Sequence, residues 1–544
     1  MWLGRICFVI ALAVTALGGT RLAQAQDEAA VAALKDRIRT AIQTATDGSE
    51  PMLAAIGKVY ADREHALLWF EGGQPTARAR ALLAALKAID EDGLEPEDYD
   101  VSIIEKLLAS DTPVDRARAD FLMSRALVLV SADMSSGRVN ANAIDKDMSP
   151  VQRRPDYRAL ARDALPASDP KAFIQSLVPA GRQYPTLKKA LAEWRERAKT
   201  DAYTKVPRGD LLRAGKCDAR VPFIRKRLSE TEADVPAATG DPNCYDDGLV
   251  AAVKRFQEAH NLSVDGVVGP RLTASLNIPI EEKVQQIIAN LERRRWAPEN
   301  PGDRYLWINA ADYAVVFVDD GRVAFRSKVI VGTVKDQTPE ITSTMLKFQT
   351  NPYWTVPTSI AGEEYLPMLR RDPQALQKAN MRIFADWTSD TEVDPTTIDW
   401  ATVNPKAFPY RIRQEPGAGN ALGYIFFPFT NKYGIYLHDT ASRFLFTEGS
   451  RNFSHGCIRL QNPFDFIEAA TKGANGATKA RVEAIANSGQ QATFAFPAPI
   501  QIHVTYQTVF ADEGGKIQFR DDIYGRDRKV FAAMRKTRTF ERAR

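Results

Sequence analysis

The chain has 544 residues, more than one hydrophobic core usually supports, so we expect several domains. Its composition, 44% hydrophobic and 26% charged, is that of an ordinary folded protein. With 72 basic and 68 acidic residues the net charge is +4, which gives no support for nucleic-acid binding, because that needs a concentrated basic face.

The first 25 residues have the pattern of a secretory signal peptide. Arg5 supplies the charged start, residues 6–17 are apolar, and Ala23-Gln24-Ala25 is a small-x-small cleavage site. The apolar run is short for a membrane span, and an uncleaved anchor is the alternative. No later stretch approaches 18 apolar residues. We therefore expect an exported, soluble protein.

Export changes the interpretation of the cysteines. Cys7 would leave with the signal peptide, so Cys217, Cys244 and Cys457 remain. An odd number in an oxidising compartment predicts one disulfide and one free, reactive thiol. Cys217 and Cys244 lie in one loop-rich segment and are the natural pair. Closing that loop would stabilise the fold by about 3 kcal/mol.

Residues 26–205 are predicted to form a helical scaffold domain. Residues 76–88 place alanine and leucine at helical spacing and are followed by a Gly and a Pro, and residues 120–129 form a second apolar-periodic helix. Nothing in this region has catalytic spacing.

Residues 206–280 are predicted to form a small helical domain. It resembles the peptidoglycan-binding domain, whose signature is a helix with Phe-Gln, a DGxxG turn and a T-x-x-L-N helix. Phe256-Gln257, residues 265–269 and residues 273–277 carry that resemblance. The long stretch 229–243 departs from the family pattern, which puts the shape of a ligand groove in doubt. The alternative is a helical spacer that binds nothing.

Residues 296–510 change to strands. A hairpin is predicted at residues 313–331 with Asp320-Gly321 at its turn, and further strands at 345–348, 421–427 and 500–510. Residues 358–409 return to helix and form an insertion, which is either a lid over an active site or plain packing. A helix at 463–471 precedes a Gly/Ala-rich linker. Residues 511–544 are expected to be a strand and a basic tail, either a solvated tail or an amphipathic helix on an anionic surface.

The segment with the strongest chemical pattern is Tyr436-Leu437-His438-Asp439, followed later by Ser454-His455-Gly456-Cys457. A thiol is a good nucleophile as a thiolate, and a neighbouring imidazole lowers its pKa by holding the proton. Gly456 lets the backbone pass close to a substrate and can free N–H groups to bind an oxyanion. The residues alone leave three alternatives: an inert buried thiol, an accidentally oxidised one, and a zinc site built from His438, Asp439, His455 and Cys457.

His438, a gap of 15 residues, and Ser454-His455-Gly456-Cys457 resemble the signature of the L,D-transpeptidase (YkuD-type) catalytic domain. Two upstream stretches also fit, namely Val331-Gly332 followed by Thr338-Pro339, and Gly417 to Gly423. The domain order is similar to that of the large periplasmic (YcbB-type) members. The resemblance implies a multidomain α+β protein with a helical scaffold domain, a small helical peptidoglycan-binding domain and a mostly-β catalytic domain with a helical lid insertion.

The resemblance implies that Cys457 attacks the carbonyl between the third residue of a stem tetrapeptide and its terminal D-Ala, giving a thioester. His438 is then the base and later the acid, oriented by the main-chain carbonyl of Asp439. An oxyanion hole is implied for the N–H groups of His455, Gly456 and Cys457. Substrate contacts are implied for Tyr436, Ser454, His455 and Arg459.

The implied product is a 3–3 cross-link in periplasmic peptidoglycan, made without metal or organic cofactor. The implied partners are stem peptides, and a carbapenem is expected to acylate Cys457. Two other outcomes stay open. The acceptor could be water, giving an L,D-carboxypeptidase, or a protein amine, giving attachment of a protein to the wall. A catalytically silent peptidoglycan-binding scaffold is the third hypothesis. The sequence does not give the oligomeric state.

Overall fold

The computed structural model describes residues 28–45, 49–148, 152–200, 203–231, 234–297 and 301–536. The predicted signal peptide, residues 1–25, lies outside these ranges. Within them, no helix combines the length and apolar character needed to cross a membrane. The predicted fold class is confirmed, since a helical scaffold, a small helical unit and a β-rich domain each have a core of their own.

The scaffold is built around one long buried helix, α5. Thr112 caps its start by accepting a hydrogen bond from the N–H of Asp115, and Pro113 follows at the first helical position. The predicted helix at residues 76–88 is α3, and the one at 120–129 lies inside α5. The scaffold helices are α1 (residues 28–44), α2 (Glu50–Ala61), α3 (Ala77–Lys87), α4 (Val101–Leu108), α5 (Pro113–Ser136), α6 (Ala141–Ile144), α7 (Tyr157–Ala164), α8 (Pro170–Ser176) and α9 (Gln183–Lys199). They carry one small hairpin, of strands β1 (Phe70–Glu71) and β2 (Gln74–Pro75).

The small helical unit contains α10 (Val221–Thr231), α11 (Asp247–Ala259) and α12 (Pro270–Leu276). The residues that carry its resemblance hold the fold together. The Gln257 side chain donates to Asp265 Oδ1 (2.9 Å) and accepts from the N–H of Gly266 (2.8 Å), which clamps the turn. Cys217 and Cys244 form a disulfide that joins the start of the unit to the segment before α11.

The elements that follow begin with α13 (Ile280–Trp296), which packs on α9 of the scaffold. The later helices are α14 (Thr358–Ile360), α15 (Leu366–Arg371), α16 (Pro463–Thr471), α17 (Lys479–Asn487) and α18 (Arg526–Met534). The strands up to the insertion's end are β3 (Tyr305–Asn309), β4 (Ala314–Asp319), β5 (Arg322–Gly332), β6 (Ile341–Thr350), β7 (Trp354–Thr355), β8 (Met381–Phe384) and β9 (Arg411–Gln414). The remaining strands are β10 (Ile425–Phe427), β11 (Leu437–His438), β12 (Asn452–Ser454), β13 (Ile458–Leu460), β14 (Ala492–Thr505), β15 (Val509–Ala511) and β16 (Ile517–Phe519).

The β-rich domain is a sheet closed on itself. Its order is β12-β5-β13-β11-β10-β6-β14-β3-β4, and β4 pairs back with β5. The predicted hairpin is confirmed as β4 and β5, with Asp320 and Gly321 both at positive φ in the turn. Alternate residues of each strand fill the enclosed core, among them Phe317, Phe348 and Leu437. The other face of each strand is therefore the outside of the barrel.

The insertion differs from the predicted helical lid. The helical part is confined to residues 358–371, where a π-helical turn joins α14 to α15, and the rest contains a three-stranded sheet of order β7-β9-β8 with short 3-10 turns. The strands pair residues that are distant in sequence, which helical periodicity does not reveal. A small core of its own, including Leu366, Trp400 and Ile412, makes the insertion a subdomain.

Two expectations for the C-terminal part are wrong. The Gly/Ala-rich linker after α16 contains a helix, α17, whose start is capped by Thr478. The expected solvated tail is instead packed up to residue 536. Val530 and Met534 of α18, with Val509 and Phe519 of the β15–β16 hairpin, belong to the scaffold core. Arg526 is buried because it lies against Tyr506 and Tyr524 rather than facing solvent.

Candidate active site

Two parallel strands place the expected base opposite a residue close in sequence to the expected nucleophile. In the pairing of β11 with β13, Leu437 is opposite Ile458 and His438 is opposite Arg459. Leu437 and Ile458 belong to the barrel core. Because neighbouring side chains on a strand point to opposite faces, His438 and Arg459 project outward. Cys457 immediately precedes β13 and packs partly against the barrel core. The charge of Arg459 lowers the pKa of both His438 and Cys457, so its guanidinium lies near the imidazole and near the thiol.

The imidazole of His438 is held by the main chain. It is 3% exposed, and its Nδ1 lies 2.5 Å from the carbonyl oxygen of Asp439. A carbonyl oxygen only accepts, so Nδ1 carries the proton and Nε2 keeps a free lone pair. Burial, followed by the positive charge of Arg459, lowers the pKa of His438 to about 3. The ring is therefore a neutral proton acceptor near pH 7.

The thiol of Cys457 is half-buried, and burial raises its pKa. A backbone hydrogen bond from Tyr436 and the charge of Arg459 act in the lowering direction without reversing the shift. The expectation of a thiol whose pKa is lowered by the imidazole is therefore wrong, because a neutral ring gives no charge to stabilise a thiolate that has left water. The resting pair is a neutral thiol beside a neutral imidazole.

The turn before Cys457 requires glycine at position 456. Gly456 has φ +104°, and a Cβ there would lie 2.7 Å from Cδ1 of Ile435. Its N–H donates to Ser454 Oγ (3.1 Å), and this hydroxyl donates to the carbonyl oxygen of Cys457 (2.5 Å). Within the part of the chain that the structure describes, the N–H groups of His455 and Cys457 have no hydrogen-bond partner.

Two expected roles in this turn change as a result. The N–H of Gly456 was expected to belong to an oxyanion hole, but it donates to Ser454 Oγ, so of the three expected N–H groups only those of His455 and Cys457 are unengaged among the described residues. Ser454 was expected to contact substrate, but it is 2% exposed and its hydroxyl serves the turn on both sides. Ser454 therefore shapes the loop.

The carboxylate of Asp439 faces away from the imidazole. Its Oδ2 accepts from the N–H of Tyr424 (3.0 Å) and its Oδ1 from Arg443 (2.8 Å). A Cβ at Gly423 would lie 2.5 Å from Asp439 Oδ2, so a side chain at this position would displace the carboxylate. Gly417 to Gly423 fits the family pattern without a predicted role, and this contact explains the glycine at its last position.

Arg459 and Tyr436 complete the outer face. Burial lowers the pKa of Arg459, and its Nε has no hydrogen-bond partner among the described residues. A partly buried guanidinium without a carboxylate partner is energetically unfavourable, so an anion bound beside Arg459 would stabilise it. Tyr436 meets the rings of Phe426 and Phe429 at 5.2 and 6.1 Å between centroids, which gives the site an aromatic side.

The insertion contacts the turn directly. His455 Nε2 lies 2.6 Å from Oε1 of Glu364, in the π-helical turn, and Glu363 beside it pairs with Lys335. Glu364 was not predicted as a site residue, because a glutamate in a helical stretch is usually solvated. Gly362 lets this turn pack closely, because a Cβ would lie 2.0 Å from the carbonyl oxygen of Pro405.

The zinc alternative has little geometric support. His455 is turned to Glu364, and the Asp439 carboxylate is turned to Tyr424 and Arg443. With His438 Nδ1 held by a main-chain carbonyl, these side chains and Cys457 do not converge on one point as tetrahedral ligands would.

Three parts of the chain match known protein families. Residues 54–191 match a family described as "Scaffold domain", residues 219–276 one described as "Putative peptidoglycan binding domain", and residues 303–482 the "L,D-transpeptidase catalytic domain" (YkuD). The resemblance drawn from the sequence is confirmed for the catalytic and the peptidoglycan-binding domain.

Among curated proteins, one of Haemophilus influenzae named "Putative L,D-transpeptidase" is 31% identical over 246 residues. The match covers 45% of this chain and 49% of that protein, so the aligned part spans about half the length of the curated relative. A crystal structure of an L,D-transpeptidase from Xylanimonas cellulosilytica is 14% identical, covering 55% of this chain and 98% of that one, with a TM-score of 0.15. At that score the match carries no structural argument.

Proposed function

We propose that this chain, which carries an L,D-transpeptidase catalytic domain at residues 303–482, is a periplasmic enzyme that forms 3–3 cross-links in peptidoglycan. The observation that carries the proposal is the register of β11 and β13, which places His438 opposite Arg459, two residues after Cys457. The match to the catalytic domain includes both residues. Peptidoglycan lies outside the cytoplasm, which agrees with removal of residues 1–25 as a signal peptide.

In the first half-reaction, Cys457 attacks the carbonyl carbon of the third residue of a stem tetrapeptide. As the C–S bond forms, the thiol proton moves to Nε2 of His438, which is free because Nδ1 is bonded to Asp439. The transfer accompanies attack, because both groups are neutral at rest. The C–N bond to D-Ala then breaks, and His438 returns the proton to the leaving amine. The products are a thioester on Cys457 and free D-Ala.

The oxygen of the tetrahedral intermediate needs hydrogen-bond donors. The N–H groups of His455 and Cys457 are the candidates, since both are unengaged among the described residues. The guanidinium of Arg459 would bind a carboxylate of the stem peptide. Tyr436 and the exposed ring of His455 would contact the peptide on either side. None of these steps requires a metal or an organic cofactor.

In the second half-reaction, the side-chain amine of another stem peptide attacks the thioester. His438 accepts a proton from the amine and gives it to the departing sulfur, which restores the thiol and leaves an amide cross-link. A carbapenem offers a strained amide carbonyl to the same sulfur, so it would acylate Cys457. The domain at residues 219–276 would hold the enzyme on the wall.

The test is product analysis with purified tetrapeptide muropeptides. The proposal predicts a dimer with the mass of two donors less one D-Ala, formed by the parent protein and absent with Cys457→Ala. A product of the donor mass less D-Ala plus water would instead identify an L,D-carboxypeptidase. If Cys457→Ala forms dimers as fast as the parent, the enzymatic assignment is lost.

A further inference from the structure

One threonine hydroxyl joins the end of β5 to the turn that carries Cys457. Thr338 is fully buried, and its Oγ1 accepts from the N–H of Gly332 (2.9 Å) and donates to the carbonyl oxygen of Gly456 (2.8 Å). Gly332 and Thr338 belong to a stretch that fits the family pattern, in which they have no predicted role. The contact of Thr338 reaches Gly456, the residue directly before Cys457.

The peptide bond between Gly456 and Cys457 contains a candidate oxyanion donor. The carbonyl of Gly456 and the N–H of Cys457 belong to one planar, trans peptide unit, in which C=O and N–H point in opposite directions. A bond that fixes the carbonyl of Gly456 on Thr338 therefore aims the N–H of Cys457 away from Thr338. The contact between Thr338 and the carbonyl of Gly456 therefore sets the orientation of the Cys457 N–H.

A tyrosine from the C-terminal segment holds Thr338 and Gly332 in turn. The hydroxyl of Tyr524 donates to the carbonyl oxygen of Gly332 (2.8 Å) and accepts from the N–H of Thr338 (3.3 Å). Tyr524 is 4% exposed, so both bonds are shielded from water. The loop between the two residues is tightly closed, because a Cβ at Gly332 would lie 2.0 Å from the carbonyl oxygen of Asp336.

Tyr524 is itself held rigidly. Its ring stacks on Tyr506 at 5.4 Å between centroids, and its N–H donates to the Tyr506 hydroxyl (3.0 Å). The guanidinium of Arg526 lies 4.9 Å from the Tyr524 ring centroid and donates to the carbonyl oxygen of Thr338 (3.1 Å). Tyr524 and Arg526, two residues apart in the C-terminal segment, thus bind the same loop, which runs from Gly332 to Thr338.

This segment is anchored in the scaffold. Asp527, next to Arg526 in α18, forms a buried ion pair with Arg293 of α13 and accepts from the hydroxyl of Thr508 (2.6 Å). The path from scaffold to nucleophile therefore runs through α13, the start of α18, Tyr524 and Thr338 to Gly456.

We propose that Tyr524 is a positioning residue for acyl transfer, which acts through Thr338 to aim the N–H of Cys457 at the developing oxyanion. The inference rests on the proposed function, since it presumes that Cys457 attacks a carbonyl. It adds a task for a C-terminal segment outside the matched catalytic domain. The scaffold then takes part in catalysis through the geometry of one peptide unit.

The experiment compares two tyrosine variants of the full chain, Tyr524→Phe and Tyr433→Phe. Tyr433 is a matched control because its hydroxyl also bridges the barrel to the scaffold, at the carbonyl oxygen of Lys146 (2.8 Å), without touching Thr338. Two rates are measured for each protein, acylation of Cys457 by a carbapenem and alkylation by iodoacetamide. Acylation needs the oxyanion donor, whereas alkylation needs an accessible and deprotonated sulfur but develops no oxyanion.

We expect Tyr524→Phe to slow acylation about tenfold, less than the complete loss of an oxyanion donor, while alkylation stays within about twofold. Tyr433→Phe should leave both rates unchanged. Thr338→Val should slow acylation as Tyr524→Phe does, whereas Thr338→Ser, which keeps the hydroxyl, should keep the rate of the parent. The double variant Tyr524→Phe/Thr338→Val should be no slower than Thr338→Val alone, because both substitutions act on one contact.

The inference is overturned if Tyr524→Phe matches Tyr433→Phe, or if acylation and alkylation fall together with the melting temperature, which would mean a disordered loop. If the parent protein itself is not acylated, the proposed function fails and this inference falls with it. The two failures are therefore distinguishable.

Discussion

The barrel and the small helical unit each contain a buried histidine, and the two differ in their neighbours rather than in their burial. His438 and His260 are 3% and 6% exposed, and Nδ1 of each ring bonds a main-chain carbonyl. Burial is the main cause that lowers the pKa of both. By these measures alone, either residue qualifies as a functional candidate.

The surroundings separate them. His260 stacks on Phe256 at 3.8 Å and faces Phe519 at 5.7 Å, so it joins the helical unit to the C-terminal hairpin. His438 lies opposite Arg459 in the pairing of β11 with β13, and Cys457 immediately precedes β13. The cysteines divide in the same way, since Cys217 and Cys244 are bonded to each other and Cys457 is free. A free thiol just before the neighbouring strand, rather than a shifted pKa, distinguishes the surroundings of His438.

The largest expected effect separates the two kinds of cysteine. Cys457→Ala should abolish acylation by a carbapenem and keep the melting temperature of the parent, because the thiol is only half-buried. A Cys217→Ser/Cys244→Ser double variant should keep the acylation rate. Mass spectrometry and thermal unfolding of both variants check this. A large drop in the melting temperature of Cys457→Ala would mean that the thiol is structural.

The next comparison uses the two histidines. His438→Gln should slow acylation by about 10³-fold, the usual range for loss of a general base. His260→Gln should leave the rate unchanged and lower the melting temperature, because it loses ring stacking. Stopped-flow acylation and calorimetry on the same preparations test the pair. Equal loss of rate in both variants would contradict the distinction.

The disulfide should matter for stability alone. Loss of the Cys217–Cys244 bond is expected to lower the free energy of unfolding by about 3 kcal/mol under oxidising conditions. The reason is that the unfolded chain, no longer closed into a loop by this bond, gains conformational entropy. Denaturant unfolding of the double serine variant measures this. An unaltered midpoint would show that the bond contributes nothing.

Acid pH should lower the stability of the fold more than it slows proton transfer by His438. The pKa of His438 is about 3 in the folded protein and 6.5 as the ordinary value, so the unfolded chain binds the extra proton between these pH values. Its contribution to stability is therefore complete above about pH 6.5 and is lost as the pH falls toward 3, with a slope of at most about 1.4 kcal/mol per unit.

Because the folded imidazole stays neutral, the acylation rate should show no loss with a midpoint near pH 6.5. Rate–pH profiles of the parent and melting curves of His438→Gln test the two statements. A rate that falls with that midpoint would mean that the ring titrates normally and is not enclosed.

The smallest effect concerns the insertion. Glu364→Gln removes the charge that faces His455, an exposed pair worth about 1 kcal/mol or less. We expect a change of a few-fold in the KM for muropeptides and none in the melting temperature. Glu363→Gln, which breaks the neighbouring pair with Lys335, is the matched control. If both variants behave alike, the contact to His455 has no separate role.

Local features were predictable where a few neighbouring residues determine the backbone conformation. The hairpin at Asp320 and Gly321 follows from two residues that tolerate positive φ. The pair of His438 and Cys457 was predicted from a family signature whose residues recur at fixed spacing. The role of Ser454 was misjudged, since sequence does not show which hydroxyls the fold uses internally.

Long-range closure was not predictable. The return of residues 509–534 to the scaffold core, the contact of Glu364 with His455, and the grip of Tyr524 on Thr338 join segments far apart in the chain. No periodicity or motif signals such pairings, which depend on how complete domains pack. The expected lowering of the Cys457 pKa failed for a related reason, because burial is a property of the assembled site.

The central claim is that the sulfur of Cys457, beside the neutral imidazole of His438, forms the acyl bond. Its most direct test is peptide mapping by mass spectrometry after the full chain is incubated with a carbapenem. The account predicts one adduct per chain, on the peptide that contains Cys457, and a greatly slowed adduct in His438→Gln. An adduct on any other residue, or none on a folded and active protein, would contradict it.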